Sequence, residues 1–173
     1  MSSNLAKLAA ATGAILALAA CQSKAKSAMD SPAPLPTPAA GQAFLAKMAT
    51  APDIHRLPSG LEYKVVQSGP KDGVAPHLGD EVKVNYEGTL IDGTVFDSSY
   101  TRGEPASFTL GEVIPGWNEA LQLMRPGDVW YLYVPAELAY GDRGGGDTIP
   151  PGSALVFKVE LLGVLPKGSR AQG

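Results

Sequence analysis

Cysteine is nearly absent. The chain has 173 residues and one cysteine, Cys21, so no internal disulfide can form. Histidine is almost as scarce, with only His55 and His77. One thiol and two imidazoles are too few for a Cys/His zinc site, and no metal is expected. Basic charge is not in excess. The 14 Lys and Arg face 17 Asp and Glu, a formal charge of −3, with no basic stripe, which argues against a nucleic-acid partner. No apolar run is long enough to span a bilayer, which takes about 20 residues. The longest, Leu8 to Ala20, has 13 and is interrupted by Thr12 and Gly13. Motifs for covalent and metal chemistry are missing too: no G-x-S-x-G elbow, no H-E-x-x-H, no EF-hand loop, and no thiol beyond residue 21. The run Gly141-Asp142-Arg143-Gly144-Gly145-Gly146 lacks the G-K-[ST] ending of a phosphate loop. It reads instead as a long inter-strand loop forming a mobile lip over a site. No cofactor is expected.

Glycine and proline, by contrast, are abundant, at 20 and 15 residues. This suits a turn-rich, strand-rich domain behind a proline-rich linker. Residues 1–20 carry one lysine, a short apolar run and small residues at its end, the pattern of a secretory signal peptide. The bland alternative, a buried N-terminal helix, would need a polar face and caps that the segment lacks. The ending Leu18-Ala19-Ala20-Cys21 resembles the bacterial lipoprotein signal, in which the cysteine becomes the lipidated first residue. Ordinary cleavage after Ala17-Leu18-Ala19 is the alternative. Gln22, in place of an aspartate, favours the outer membrane. Residues 21–41, with prolines at 32, 34, 36 and 38, read as a Pro/Ala/Ser tether that cannot bury a core. Residues 42–57 read as a short helix, with Phe44, Leu45 and Met48 on one face, followed by a linker.

From Leu61 the periodicity becomes that of strands. Glu81 to Glu87 alternates, with Val82, Val84 and Tyr86 on one face. Asp92-Gly93 marks a hairpin turn needing positive φ, and Val95-Phe96-Asp97 begins the return. Val129–Val134 and Ala154–Leu162 alternate again. Between the strand at Val95 and that at Val129, Trp117, Ala120, Leu121 and Met124 form a single helical stripe, opened by Pro115-Gly116 and closed by Pro126-Gly127. The expected fold is α+β: a twisted antiparallel sheet of about five strands wrapped around one short helix. Its domain spans 58–165, and a flexible tail is expected at 166–173.

Five stretches follow one another in series: Val84-Asn85-Tyr86-Glu87-Gly88, Asp92 to Ser99, Val113-Ile114-Pro115-Gly116-Trp117, Leu138-Ala139-Tyr140-Gly141 and Ile149-Pro150-Pro151. In order and approximate spacing they resemble the FKBP-type peptidyl-prolyl cis-trans isomerases, and the whole layout resembles bacterial envelope lipoproteins of that family. The resemblance implies a shallow apolar pocket between sheet and helix. Trp117 would be its floor, and Tyr86, Phe96, Val113, Ile114, Ile149 and Phe157 its walls. Tyr140 would offer its hydroxyl to a substrate carbonyl, and the Ile114 N–H would hold a second. Asp97 would stand at the pocket edge, steadied by Arg102. Ala106 replaces an aromatic wall residue of many relatives, and Gly145 a histidine of some. These departures bear on substrate preference and on affinity for macrolide inhibitors.

The implied activity is cis/trans isomerisation of X–Pro bonds in exported, partly folded chains, by an enzyme held at the envelope through a lipid on Cys21 with its domain in the periplasm. The alternative is a chaperone-like module that binds proline-containing or apolar segments and isomerises them incidentally.

Overall fold

The computed structural model describes residues 37–169. The signal segment, Cys21 and most of the tether lie outside the described residues. Strands and helices follow the order α1 (Pro38–Met48), β1 (His55–Arg56), β2 (Glu62–Gln67), β3 (Glu81–Leu90), β4 (Val95–Ser98), α2 (Ser99–Arg102), β5 (Ala106–Thr109), α3 (Pro115–Leu121), β6 (Val129–Val134) and β7 (Leu155–Leu165). Two short 3-10 turns, Ala136–Leu138 and Gly141–Arg143, lie in the β6–β7 connection.

All seven strands join one antiparallel sheet, ordered β1-β2-β6-β7-β3-β4. The centre is the long β3–β7 pair, in register from Glu81↔Leu165 to Leu90↔Leu155 with a shift after Lys83. The far edge of β3 is shared end to end. β5 pairs with its first half, Glu81–Val84, and β4 with its second, Glu87–Thr89. The gap between them holds α2. The two strands missing from the expected five are short: β1 has two residues and β5 four. Their formation depends on a partner edge rather than on their own periodicity.

The expected alternation is present where the strands are long. In β3 the buried positions are Val82, Val84, Tyr86, Gly88 and Leu90, and in β6 Trp130, Leu132 and Val134. That face packs on α3, whose stripe is wholly buried. The helix ends at Leu121, so Met124 reaches the core from the turn that follows, where the Leu123 and Met124 N–H groups donate to Ala120 and Leu121. The hairpin between β3 and β4 turns at Gly93, whose φ of 88° is a conformation other residues adopt only with strain. Asp92 accepts from the Thr94 N–H at 2.9 Å and closes the turn.

α1 begins four residues earlier than the sequence pattern suggested. Thr37 caps it, accepting from the Ala40 N–H at 3.2 Å, and Pro38 occupies the first turn, where its missing N–H costs nothing. The last proline of the expected tether is therefore a helix start. The helix lies on the sheet face away from α3. Its Gly41 is buried against Ala154, and the Phe44 ring sits 6.0 Å from that of Tyr133. At the other end, Asp80 accepts from the N–H groups of His77 and Lys167, both at 2.8 Å. The first residues of the expected tail, Pro166–Ser169, are thus tied to the domain.

Candidate active site

The site grows from several separate segments of the chain. β3 supplies Tyr86, pointing to the α3 face by alternation. β4 supplies Phe96 and Asp97. The loop entering α3 supplies Val113 and Ile114, and α3 itself Trp117. β7 supplies Phe157. These residues, with Phe108, Glu112 and Tyr140, line one open pocket of about 310 Å³.

The rings meet edge to face. Trp117 is T-shaped to Tyr86 at 5.2 Å, to Phe157 at 5.4 Å and to Phe108 at 5.5 Å, and Phe96 to Phe157 at 5.6 Å. Such pairs are worth about 0.5–1.5 kcal/mol each beyond burial, and they fix the ring planes. Trp117 is 4% exposed, and its indole N–H has no acceptor among the described residues.

The polar side is built on α2. Ser98 caps that single turn through its hydroxyl, and Gly103 closes it with a φ of 77°. The Ser99 hydroxyl accepts from the Tyr86 N–H at 2.8 Å and donates to the Tyr86 carbonyl, pinning α2 to β3. Arg102 is thereby delivered to Tyr86 and Asp97. The Tyr86 hydroxyl donates to Asp97 Oδ2, Arg102 Nη1 to Asp97 Oδ1, and Arg102 Nη2 to the Tyr86 oxygen at 2.9 Å. Burial alone would raise the Asp97 pKa. The Tyr86 and Arg102 hydrogen bonds and the guanidinium charge outweigh it and hold the carboxyl below the usual range. Burial, then the neighbouring carboxylate, push the Tyr86 phenol upward.

The Val113–Ile114 segment is held by Asn118. Its side chain accepts from the Gly111 N–H at 2.7 Å and donates to the Val113 carbonyl at 2.9 Å. Ile114 is the N-cap of α3, so helix geometry gives its N–H no intrahelical acceptor. Tyr140 enters from the β6–β7 connection, half-exposed, and its hydroxyl has no partner among the described residues. Its loop is braced by the reciprocal Gly145–Ile149 backbone pair at 2.9 and 3.0 Å.

The structure therefore brings Tyr86, Phe96, Asp97, Val113, Ile114, Trp117, Tyr140 and Phe157 together. Arg102 stands behind the lining, reaching it through Tyr86 and Asp97. Ile149 is not on the lining. It is buried, paired with Gly145, and supports the lip from within. Sequence reasoning missed Phe108 and Glu112. The single alternation within β5 was a faint signal for Phe108; it is the pairing with Val82, in a core-facing row, that sets its direction. Ala106 of β5 pairs with Val84 of β3, and Gly145 lies beside the Tyr140 ring.

Comparison with known proteins follows the same lines. Residues 73–162 match the family model described as FKBP-type peptidyl-prolyl cis-trans isomerase. The chain belongs to that family. Residues 5–65 match the model of the domain amino terminal to such isomerases. Peptidyl-prolyl cis-trans isomerase Mip of Coxiella burnetii is 54% identical over 126 residues, 73% of this chain and 54% of that protein. Outer membrane protein MIP of Legionella longbeachae is 52% identical over 126 residues, 73% of this chain and 53% of that one. The crystal structure of FkpA from Escherichia coli superposes with a TM-score of 0.71 at 50% identity, over 75% of this chain and 59% of that chain. The chain thus spans little more than half the length of these relatives.

Proposed function

We propose that this FKBP-family chain is a peptidyl-prolyl cis-trans isomerase acting on exported polypeptides, tethered to the envelope by a lipid on Cys21. The observation that carries the activity is the ring-walled pocket, open to solvent and floored by Trp117. Amide resonance gives the X–Pro bond a barrier of ~18–20 kcal/mol, while its trans preference is only about 0.5–1 kcal/mol. Rotation needs no nucleophile, metal or net proton transfer. The prolyl ring seats on Trp117 between Phe96, Phe157 and Tyr86. The Ile114 N–H and the Tyr140 hydroxyl hold flanking carbonyls. The planar amide is more charge-separated than the twisted one, so walls that exclude water favour the twisted form. Donors placed for the twisted form add differential binding, and each ~1.4 kcal/mol gained is about tenfold in rate. The Asp97 carboxylate is occupied by Tyr86 and Arg102, which suits it to fixing the pocket edge rather than to hydrolysis.

The deciding experiment is proline-peptide isomerisation by the full chain, with and without an FKBP-directed macrolide. Catalysis is expected, weakened at least tenfold by Phe96→Ala with the fold retained. Asp97→Ala is expected to weaken it as well. An inactive wild type that still suppresses client aggregation would replace this reading with the chaperone-like one.

The lipid anchor is supported by the lone cysteine at the end of Leu18-Ala19-Ala20. None of the described helices is long and apolar enough to cross a membrane. A relative named as an outer membrane protein supports an envelope location, with the domain in the periplasm. Cys21→Ser is expected to move the protein out of the membrane fraction, and unchanged fractionation would remove the anchor.

A further inference from the structure

Two carboxylates line the pocket, and their surroundings differ. Asp97 is compensated, with Arg102 on one oxygen and the Tyr86 hydroxyl on the other. Glu112 is not. It lies in the turn between β5 and α3, where its N–H donates to the Thr109 carbonyl at 3.1 Å. Its side chain is exposed, and among the described residues it has no ion-pair or hydrogen-bond partner. The Asn118 clamp on Gly111 and Val113 fixes the backbone on both sides of it. Glu112 is therefore a surplus negative charge held at the rim, two residues from the Ile114 N–H. Among the described residues, no Lys or Arg side chain joins it on the pocket lining.

We propose that Glu112 is a specificity-determining residue, favouring prolyl segments with Lys or Arg beside the proline over those with Asp or Glu. This rests on the isomerase reading and names its substrate class. A residue flanking a prolyl ring seated on Trp117 passes the rim within a Debye length of Glu112, about 8–10 Å at ordinary salt. An exposed charge pair there is weak, so the preference is a bias rather than a gate. Attraction of a cation and repulsion of an anion act in opposite directions on the two substrates. The ratio of their kcat/KM values is then roughly three- to tenfold. Most of it lies in KM, because the charge acts on ground state and transition state alike.

The test uses matched peptides carrying Lys, norleucine or Glu on either side of the proline, at about 50 mM and about 500 mM salt. The readout is the Lys-to-Glu ratio within one protein, so any overall rate change of a variant cancels. Wild type is expected to show the ratio above at low salt and to lose most of it at high salt. Glu112→Gln brings the ratio near unity, and Glu112→Lys inverts it. A wild-type ratio of one at both flanks, or a ratio indifferent to Glu112→Lys, overturns the proposal. Should the lysine variant not fold, the glutamine variant and the salt titration still decide. Failure to turn over even the norleucine peptide would instead sink the isomerase reading on which the proposal stands.

Discussion

A single methyl group placed on β3 should close the pocket from behind. Gly88 pairs with Asp97 on one side and Phe157 on the other, directly beneath the Phe96 and Phe157 rings. A Cβ there would lie 2.6 and 2.7 Å from Phe96 Cζ and Cε2, and 2.9 Å from Phe157 Cε1. Ordinary carbon contacts are about 3.5–4.0 Å, so both rings must give, Phe96 by about 1 Å and Phe157 by roughly 0.6 Å. Phe157 is 4% exposed and locked against Trp117, whereas Phe96 is half-buried on the open pocket. Phe96 is therefore the ring that moves furthest, and the space available to it is the substrate's. Overpacking costs about 1–3 kcal/mol, partly offset by the roughly 0.5–1 kcal/mol that alanine gains over glycine in a strand. Loss of the Phe96–Phe157 edge contact adds about 0.5–1.5 kcal/mol.

The expected result for Gly88→Ala is a stability loss of about 2 kcal/mol and a fall in kcat/KM of at least tenfold. Denaturant melts and proline-peptide kinetics on the full chain measure the two. Gly93→Ala is the control. Its φ of 88° strains alanine, but nothing lies within 4 Å of the added carbon. It should lose about 1 kcal/mol of stability and keep its activity. The reasoning is refuted if Gly88→Ala keeps kcat/KM within twofold, or if Gly93→Ala loses as much.

Two further outcomes concern ionisable groups. Glu62 is 1% exposed beneath α1, with Oε2 unpartnered and Oε1 3.7 Å from Arg56. Burial raises its pKa, and Arg56 only partly opposes this. A raised carboxyl destabilises the fold as pH climbs above the unfolded value of about 4.3. Glu62→Gln should therefore stabilise by about 1 kcal/mol at pH 8, with the gain shrinking toward pH 4. Thermal melts across that range check it, and a gain independent of pH would contradict it. Asp97 runs the other way. Its lowered pKa contributes stability above the unfolded value of about 3.9 that is lost as pH falls through the folded one. Tyr86→Phe removes one of the hydrogen bonds responsible and should move the Asp97 titration upward by NMR, while weakening catalysis.

Much of the fold was legible because long strands and the α3 stripe announce themselves by period. β3, β6 and β7 alternate through every buried residue, and the four apolar positions after Pro115 all reach the core. Short elements were less so. Four-residue β5 contains a single full alternation, so Phe108 carried too little local signal to be separated from a loop. The Thr37-Pro38 start of α1 was masked by its neighbours. A proline at N1 and a proline in an extended tether look alike until the cap hydrogen bond is seen. The site divides in the same way. Its rings were legible through motifs, but the Ser99 and Asn118 hydrogen bonds that hold Tyr86 and Val113 connect residues whose types have many other uses. Ile149 could not be assigned to wall or support from sequence, since both positions demand an apolar side chain.

The arrangement also bears on how so weak a set of chemical groups could serve the isomerisation proposed. A twisted amide differs from a planar one by geometry and a modest dipole, so the site must discriminate shape more than charge. Discrimination by shape requires walls that do not follow the substrate. Here each ring is braced by a different strand or helix: Tyr86 by β3 and α2, Phe157 by β7, Trp117 by α3, Phe96 by β4. The edge contacts among them set the planes of the rings, with Trp117 and Phe157 the most deeply held. Asp97, Tyr86 and Arg102 neutralise one another, which keeps an uncompensated charge off the pocket edge they form, where it would hold water. The one uncompensated carboxylate on the lining, Glu112, lies at the solvent rim. In the function proposed, that position lets it sort substrates by their flanking charge without wetting the surface on which the bond turns.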